Sequence, residues 1–251
     1  MSFSMSESEF SGLFAEGFRA NGLDGCCSAS SVHAFYLLTG ELLRCAEVMN
    51  LTAITDPKAV IIRHYADCAL AASLIPAGAD LADIGTGAGF PSLPFAILRP
   101  DITVTAVDAT KKKLDYVAGA ARLLGLSNLT VHAARAEELG QDPVYREQFD
   151  FVCARAVARL NVLSEWCLPL VKKGGIFLAM KGRDGHAEEA EARHAVDVLG
   201  GVVTDIRELS LADPFAETEE DMRRCLISVK KRQFTPKQYP RPNTQITKKP
   251  L

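Results

Sequence analysis

Residues 80–91 read Asp-Leu-Ala-Asp-Ile-Gly-Thr-Gly-Ala-Gly-Phe-Pro, an apolar strand running into three glycines spaced two apart, with Asp83 two residues before the first. Gly85, Gly87 and Gly89 carry no Cβ. The backbone there turns tightly and approaches a ligand closely, at the carboxyl end of a strand where open α/β sheets bind nucleotides. The spacing separates two kinds of loop. A dinucleotide fold has G-x-G-x-x-G, its third glycine opening a helix that holds pyrophosphate; D-x-G-x-G-x-G is the first motif of S-adenosylmethionine-dependent enzymes. Asp83 suits the ammonium of that ligand, and backbone N–H groups of the loop and the next helix start suit its carboxylate. A glycine-rich turn without a ligand is the alternative.

Working outward, Ile102 to Val107 is an apolar strand ending at Asp108. An acid at a strand tip about twenty residues on from the glycines is what a ribose diol requires, because a carboxylate accepts both hydroxyl hydrogens. A third strand, Leu129 to Ala133, is followed by Arg135-Ala136-Glu137-Glu138. Glu137 then lies where adenine would sit and accepts its exocyclic amino group; alternatively, the two glutamates cap a short helix. Strands near 80–84, 102–107, 129–133, 149–153 and 175–180 alternate with helical segments near 90–98, 111–124, 160–170 and 185–199. Two more strand-like stretches, Val202 to Leu209 and Arg224 to Lys230, close the sheet. Alternation of this kind predicts an α/β fold with a doubly wound, mostly parallel, seven-stranded sheet. Ahead of it lie helical periodicities only: Phe10 to Ala20, Val32 to Val48 and Lys58 to Ile75, the last with Asp56-Pro57 as N-cap and first-turn proline. The expected division is a helical cap over 1–76, a cofactor-binding domain over 77–234 and a basic tail over 235–251.

Composition sets the class. The chain has 251 residues, 48% hydrophobic and 24% charged, with a formal net charge of −3, enough to bury a full core in a soluble enzyme. No basic, apolar leader opens the chain, and no run of eighteen apolar residues occurs, so neither export nor membrane insertion is expected and the cytoplasm is. Seven cysteines, without a C-x-x-C pair or clustered histidines, read as reduced, packed thiols, and no metal is expected.

Several further stretches carry a family resemblance: Asn50-Leu-Thr-Ala-Ile-Thr-Asp-Pro, Arg63-His64 followed by Asp67, the glycine loop through Phe90-Pro91, Asp108 with Lys111-Lys112-Lys113, Arg135-Ala-Glu-Glu, Ala154-Arg155-Ala156, Met180-Lys181-Gly182, and the tail segments Tyr239-Pro-Arg-Pro and Lys248-Lys-Pro-Leu. Over nearly its whole length the chain resembles the RsmG (GidB) family of bacterial class I, Rossmann-like methyltransferases. The family modifies N7 of a guanosine in the 530 loop of 16S ribosomal RNA. The resemblance implies S-adenosylmethionine as cofactor, 16S rRNA or the small ribosomal subunit as partner, and cofactor contacts at Gly85, Phe90, Ala136, Glu137 and Arg155. The chain departs from the family at Arg44-Cys45-Ala46-Glu47, where a Trp-Asn pair is frequent, in a longer, serine-rich amino terminus, and at Ser92, where glycine is common.

Guanine N7 has a lone pair and no proton, so transfer of a methyl from a sulfonium to it needs orientation and exclusion of water rather than a general base. After strand four, where amino methyltransferases carry Asn-Pro-Pro-Tyr, the chain reads Cys153-Ala-Arg155-Ala-Val-Ala-Arg159, and no Pro-Cys nucleophile is present. Arg155, at that strand end, and Lys181 are the candidate catalytic residues; an ion pair with a neighbouring acid is the other reading of Arg155. An RNA substrate also needs positive charge. From Arg223 to Leu251 there are nine lysines and arginines and no acid. The candidate RNA contacts are Arg63, His64, Lys111, Lys112, Arg159 and Lys181 on the sheet rim, and Lys237, Arg241, Lys248 and Lys249 in a tail expected to be extended. A methyltransferase for a small molecule or protein, or a non-catalytic cofactor-binding module, stays open. A monomer is expected.

Overall fold

The computed structural model describes residues 3–218 and 221–251. Its first helix, α1 (Glu7–Ala20), opens with a capping box in which the Ser6 hydroxyl accepts from the Glu9 N–H and the Glu9 carboxylate from the Ser6 N–H. Phe10, Phe14 and Phe18, four apart, share one face of α1 and are fully buried. The Phe14 ring lies 3.9 Å from Phe18 and 5.1 Å from Phe35 of α2 (Ala29–Ala46). Asp56 caps the third helical stretch by accepting from the Ala59 N–H at 2.8 Å, with Pro57 in the first turn. That stretch is not one regular helix. A short α3 (Pro57–Val60) passes into a π-helical segment, Ile61–Ala66, then into α4 (Asp67–Ala72), which ends before Ile75.

The sheet comprises β1 (Asp80–Ile84), β2 (Thr103–Asp108), β3 (Leu129–Ala133), β4 (Phe149–Arg155), β5 (Val171–Lys181), β6 (Gly201–Ser210) and β7 (Arg223–Lys231), in the order β3-β2-β1-β4-β5-β7-β6. The first five are parallel, and β7 lies between β5 and β6, antiparallel to both. From β1 the chain builds outward through β2 and β3, then returns to place β4 on the other side of β1. That reversal opens a crevice at the carboxyl ends of β1 and β4.

Side chains alternate between the faces of the sheet. Leu81, Phe151 and Cys153 join an apolar cluster with α1, α2, α4, α5 (Ser92–Leu98) and α6 (Lys111–Leu123). Ala82, Val152 and Ala154 face the other way, into a cluster with α7 (Ala136–Leu139), α8 (Leu160–Cys167) and α9 (Gly185–Val198). The first cluster runs without a break from Phe10 to Phe95, so the amino-terminal helices and the sheet share one core.

The tail is not the extended or partly disordered segment that its composition suggests. Residues 235–251 fold back on the second face and contain α10 (Asn243–Lys248), whose Ile246 is fully buried. One guanidinium gathers the segment: Arg146 donates to Gly140, Tyr239 and Thr235 carbonyls at 2.7–2.8 Å, while the Gln141 amide donates to the Pro240 carbonyl at 2.8 Å. Arg241 is not a free phosphate ligand. It pairs with the fully buried Glu165 carboxylate through Nε at 2.8 Å and Nη2 at 2.6 Å, because a buried acid needs a charged partner. Among the described residues no helix is long and apolar enough to cross a membrane.

Candidate functional site

The glycine loop leaves β1 with left-handed backbone at Gly85 (φ 76°), Gly87 (φ 58°) and Gly89 (φ 83°). A Cβ at Gly85 would stand 2.7 Å from Val157 and one at Gly89 2.5 Å from Leu93, whereas one at Gly87 would meet nothing closer than the Gly85 carbonyl at 3.9 Å. Gly85 and Gly89 thus admit the protein's own neighbours, and Gly87 keeps the outer side of the loop clear. Asp108 braces it: one carboxylate oxygen accepts from the Gly87 N–H at 3.0 Å and the other from the Thr110 N–H at 2.8 Å. Each oxygen retains acceptor capacity for a diol.

Gly85, Asp108, Ala136 and Glu137 line one cleft, together with Val157, Trp166 of α8 and Asn243 of α10. The residues fit S-adenosylmethionine on structural grounds: a cradle that a side chain would fill, a half-buried carboxylate at the second strand tip, and an apolar wall with a second carboxylate beyond it. Asp83, expected at the ammonium, is placed elsewhere. It is fully buried beneath the loop, accepting from the Ser92 N–H at 3.2 Å and the Ser92 hydroxyl at 2.5 Å, so it fixes the start of α5. Burial raises its pKa to about 6, against the lowering effect of the Ser92 and Thr86 hydroxyls. Ser92 is the residue that engages Asp83. Phe90 faces the amino-terminal helices, its ring stacked on His64 at 4.4 Å.

A second cleft adjoins at the ends of β4 and β5, lined by Asp67, Arg155, Lys181, Glu188 and Arg224. The π-helical segment Ile61–Ala66 borders it: its Arg63 carbonyl accepts from Arg155 Nη2 at 2.7 Å. Arg155 Nε also pairs with Asp67 at 3.0 Å, and its Nη2 meets His64 Nδ1 at 3.1 Å. Asp67, nearly fully buried, takes Arg224 Nε on its other oxygen at 2.9 Å. The ion-pair reading of Arg155 is therefore realised, and its planar fork ties the cap to the sheet. His64 is corrected from an RNA contact. It is buried between Arg155 and the Thr52 hydroxyl, 3.0 Å from Nε2, and burial, with the Arg155 charge, lowers its pKa to about 3. The ring is neutral, accepting from Arg155 at Nδ1.

Other rim residues are also engaged. Lys181 is buried, donating to the Ala158 carbonyl at 2.6 Å and pairing with Glu188 at 2.8 Å; it orders the turn after β4 instead of presenting a free ammonium. Arg159 pairs with Glu191, and Lys111 with Asp115 at 2.7 Å across one helical turn. Lys112, Lys237, Lys248 and Lys249 are exposed and Arg63 is half-buried. All seven cysteines are free, and burial drives the Cys153 and Cys167 thiols well above their ordinary range, leaving them inert. Among the described residues no group of His, Cys, Asp and Glu is gathered to hold a metal. Sequence reasoning missed Trp166, Glu165, Arg146 and Asn243. The chain's single tryptophan was a signal for the first; nothing local marked the others.

Among known proteins, the family model described as rRNA small subunit methyltransferase G matches residues 32–215. A ribosomal RNA small subunit methyltransferase G from Oceanobacillus iheyensis is 40% identical over 240 residues, covering 95% of this chain and 98% of its own. Its namesake from Lactobacillus johnsonii is 45% identical over 215 residues, 84% of this chain and 87% of its own. Among solved structures, the YcgJ protein of Bacillus subtilis superposes with a TM-score of 0.51 at 18% identity, over 68% of this chain and all of that one. A precorrin-6y C5,15-methyltransferase from Geobacter metallireducens does so at 0.50 and 14%, over 73% and 92%. These two share the class I, Rossmann-like fold. With the family model matched across most of its length and relatives at such identity, the chain belongs to the rRNA small subunit methyltransferase G family.

Proposed function

We propose that the chain transfers the methyl group of S-adenosylmethionine to N7 of a guanosine in the 530 loop of 16S ribosomal RNA, acting in the cytoplasm as a monomer on the small ribosomal subunit or its RNA. The observation that carries this reading, in a chain of this family, is the pair of adjoining clefts. One has the glycine loop and carboxylates for the cofactor, the other mixed charge for a polar base, and consecutive residues at the end of β4 line both, Arg155 and Ala156 the second and Val157 the first. When bound, S-adenosylmethionine supplies a methyl group on a sulfonium that needs no further activation. Gly87 and Asp108 hold it at the strand ends, and Glu137 lies further along the same cleft. In the second cleft, Arg155 and Lys181 act through position: Arg155 fixes Asp67 and the Arg63 carbonyl, and Lys181 fixes Ala158 and Glu188. Guanine N7 brings its own lone pair, so no group has to remove a proton. The exposed Lys112, Lys237, Lys248 and Lys249, with Arg63, supply charge for phosphates.

Incubation with radiolabelled S-adenosylmethionine and small ribosomal subunits, bare 16S RNA or a small-molecule extract tests the reading. Label is expected in 16S RNA at one guanosine, which becomes cleavable by aniline after borohydride reduction, as N7-methylguanosine is. Label confined to the extract would overturn it.

A further inference from the structure

Two of the residues that line the cofactor cleft carry a buried side-chain atom without a protein partner, and the two atoms are complementary: the Trp166 Nε1–H, a donor, and Asn243 Oδ1, an acceptor. A native fold seldom leaves such groups open unless something else satisfies them. They sit on elements that converge, since α8 packs against both α7, which carries Glu137, and α10, which carries Asn243.

The segment bearing Asn243 is held firmly. Arg241 is locked on Glu165 two residues before it, and Ile246 is fully buried three residues after it. A side chain fixed on both flanks presents its amide at a set place instead of sampling the solvent. The unmet demand is for a flat group that offers a hydrogen to Asn243 and a lone pair to Trp166. An aminopurine offers both, through its exocyclic amino group and a ring nitrogen.

We propose that Asn243 and Trp166 read the adenine of the cofactor, so that the carboxyl-terminal segment determines the nucleobase specificity of the site. Asn243 accepts a hydrogen from the exocyclic amino group, and Trp166 donates to a ring nitrogen. The proposal rests on the S-adenosylmethionine reading above and deepens it. It also changes what the tail is for: residues 235–251 complete a wall of the small-molecule pocket.

Calorimetry with S-adenosylhomocysteine and its deaminated analogue, S-inosylhomocysteine, separates the two levels of the argument. In the analogue an oxygen replaces the amino group and would face Asn243 Oδ1. The unaltered protein is expected to bind the adenosyl form at least about tenfold more tightly. Asn243→Leu should weaken the adenosyl form about tenfold and leave the inosyl form no weaker, bringing the ratio toward one. Asn243→Asp, which keeps an acceptor oxygen, should retain the preference, and Trp166→Phe should weaken the adenosyl form. Thermal melts without ligand establish that each variant folds. An Asn243→Leu protein that binds both ligands as the parent does would overturn the proposal, while a parent protein that binds neither would overturn the cofactor reading beneath it.

Discussion

At Gly87 the conformation and the surroundings make separate demands. Its φ of 58° strains any L side chain, yet a Cβ there would meet nothing closer than the Gly85 carbonyl at 3.9 Å. Gly87→Val should therefore fold, at a cost of about 1–3 kcal/mol from the strained backbone, and lose S-adenosylhomocysteine binding in calorimetry; a folded variant with full affinity would remove this loop from the site. The glycines, Asp108 and Glu137 were legible in the sequence because their demands are local, set by a few neighbouring residues. Asp83 was legible as important but not in its role, since Ser92, nine positions on, turns it inward. His64 and Arg155 were harder still. Their partnership spans 91 residues, and only the fold brings the two side chains together.

The carboxyl-terminal segment shows the same limit at the level of an element. A count of nine positive residues without an acid suggested an RNA-gripping arm, yet the count is blind to acids elsewhere in the chain. Glu165 takes Arg241. Lys231 is fully buried, donating to the Leu168 carbonyl at 2.6 Å and to Thr235, with Glu147 at 3.4 Å, and burial lowers its pKa to about 8. Arg241→Ala would leave Glu165 charged and unpaired, so it should cost about 3–5 kcal/mol, seen as a clear drop in melting temperature, and weaken S-adenosylhomocysteine binding by releasing α10. Adding Glu165→Gln should restore part of the stability. A melting temperature indifferent to Arg241→Ala would mean that the pair does not hold the segment. The regular elements, by contrast, were read well from periodicity. The π-helical segment was not, because Ile61–Ala66 keeps an ordinary helical pattern of apolar residues.

Across the molecule, Asp67 joins three parts of the chain: α4 in the cap, Arg155 at the end of β4, and Arg224 at the start of β7. Asp67→Ala would leave two guanidinium groups facing each other at the second cleft, with an expected loss of about 3–5 kcal/mol. Because the apolar cluster runs unbroken from Phe10 to Phe95, urea unfolding of both parent and variant should remain a single transition by fluorescence and far-ultraviolet dichroism. Two separated transitions would show the cap to be an independent unit. The mostly parallel, seven-stranded sheet followed from the alternation of strands and helices; the order of its strands is seen only in the structure. The sharing of a core did not, since the periodicity changes near residue 76 without saying whether the two sides pack together.

The clasp formed by Arg146, Gln141 and Glu165 on the tail also orders events in time. Its hydrogen bonds join residues 76 to 99 positions apart, and all seven strands precede residue 232, so a chain made from its amino terminus can complete the sheet before the tail is present. The parallel strands can pair while Asn243 is still far from Trp166. During synthesis, the sheet can thus be established ahead of competence to hold the small molecule, and the growing protein passes through an interval in which its scaffold is complete and its pocket lacks a side.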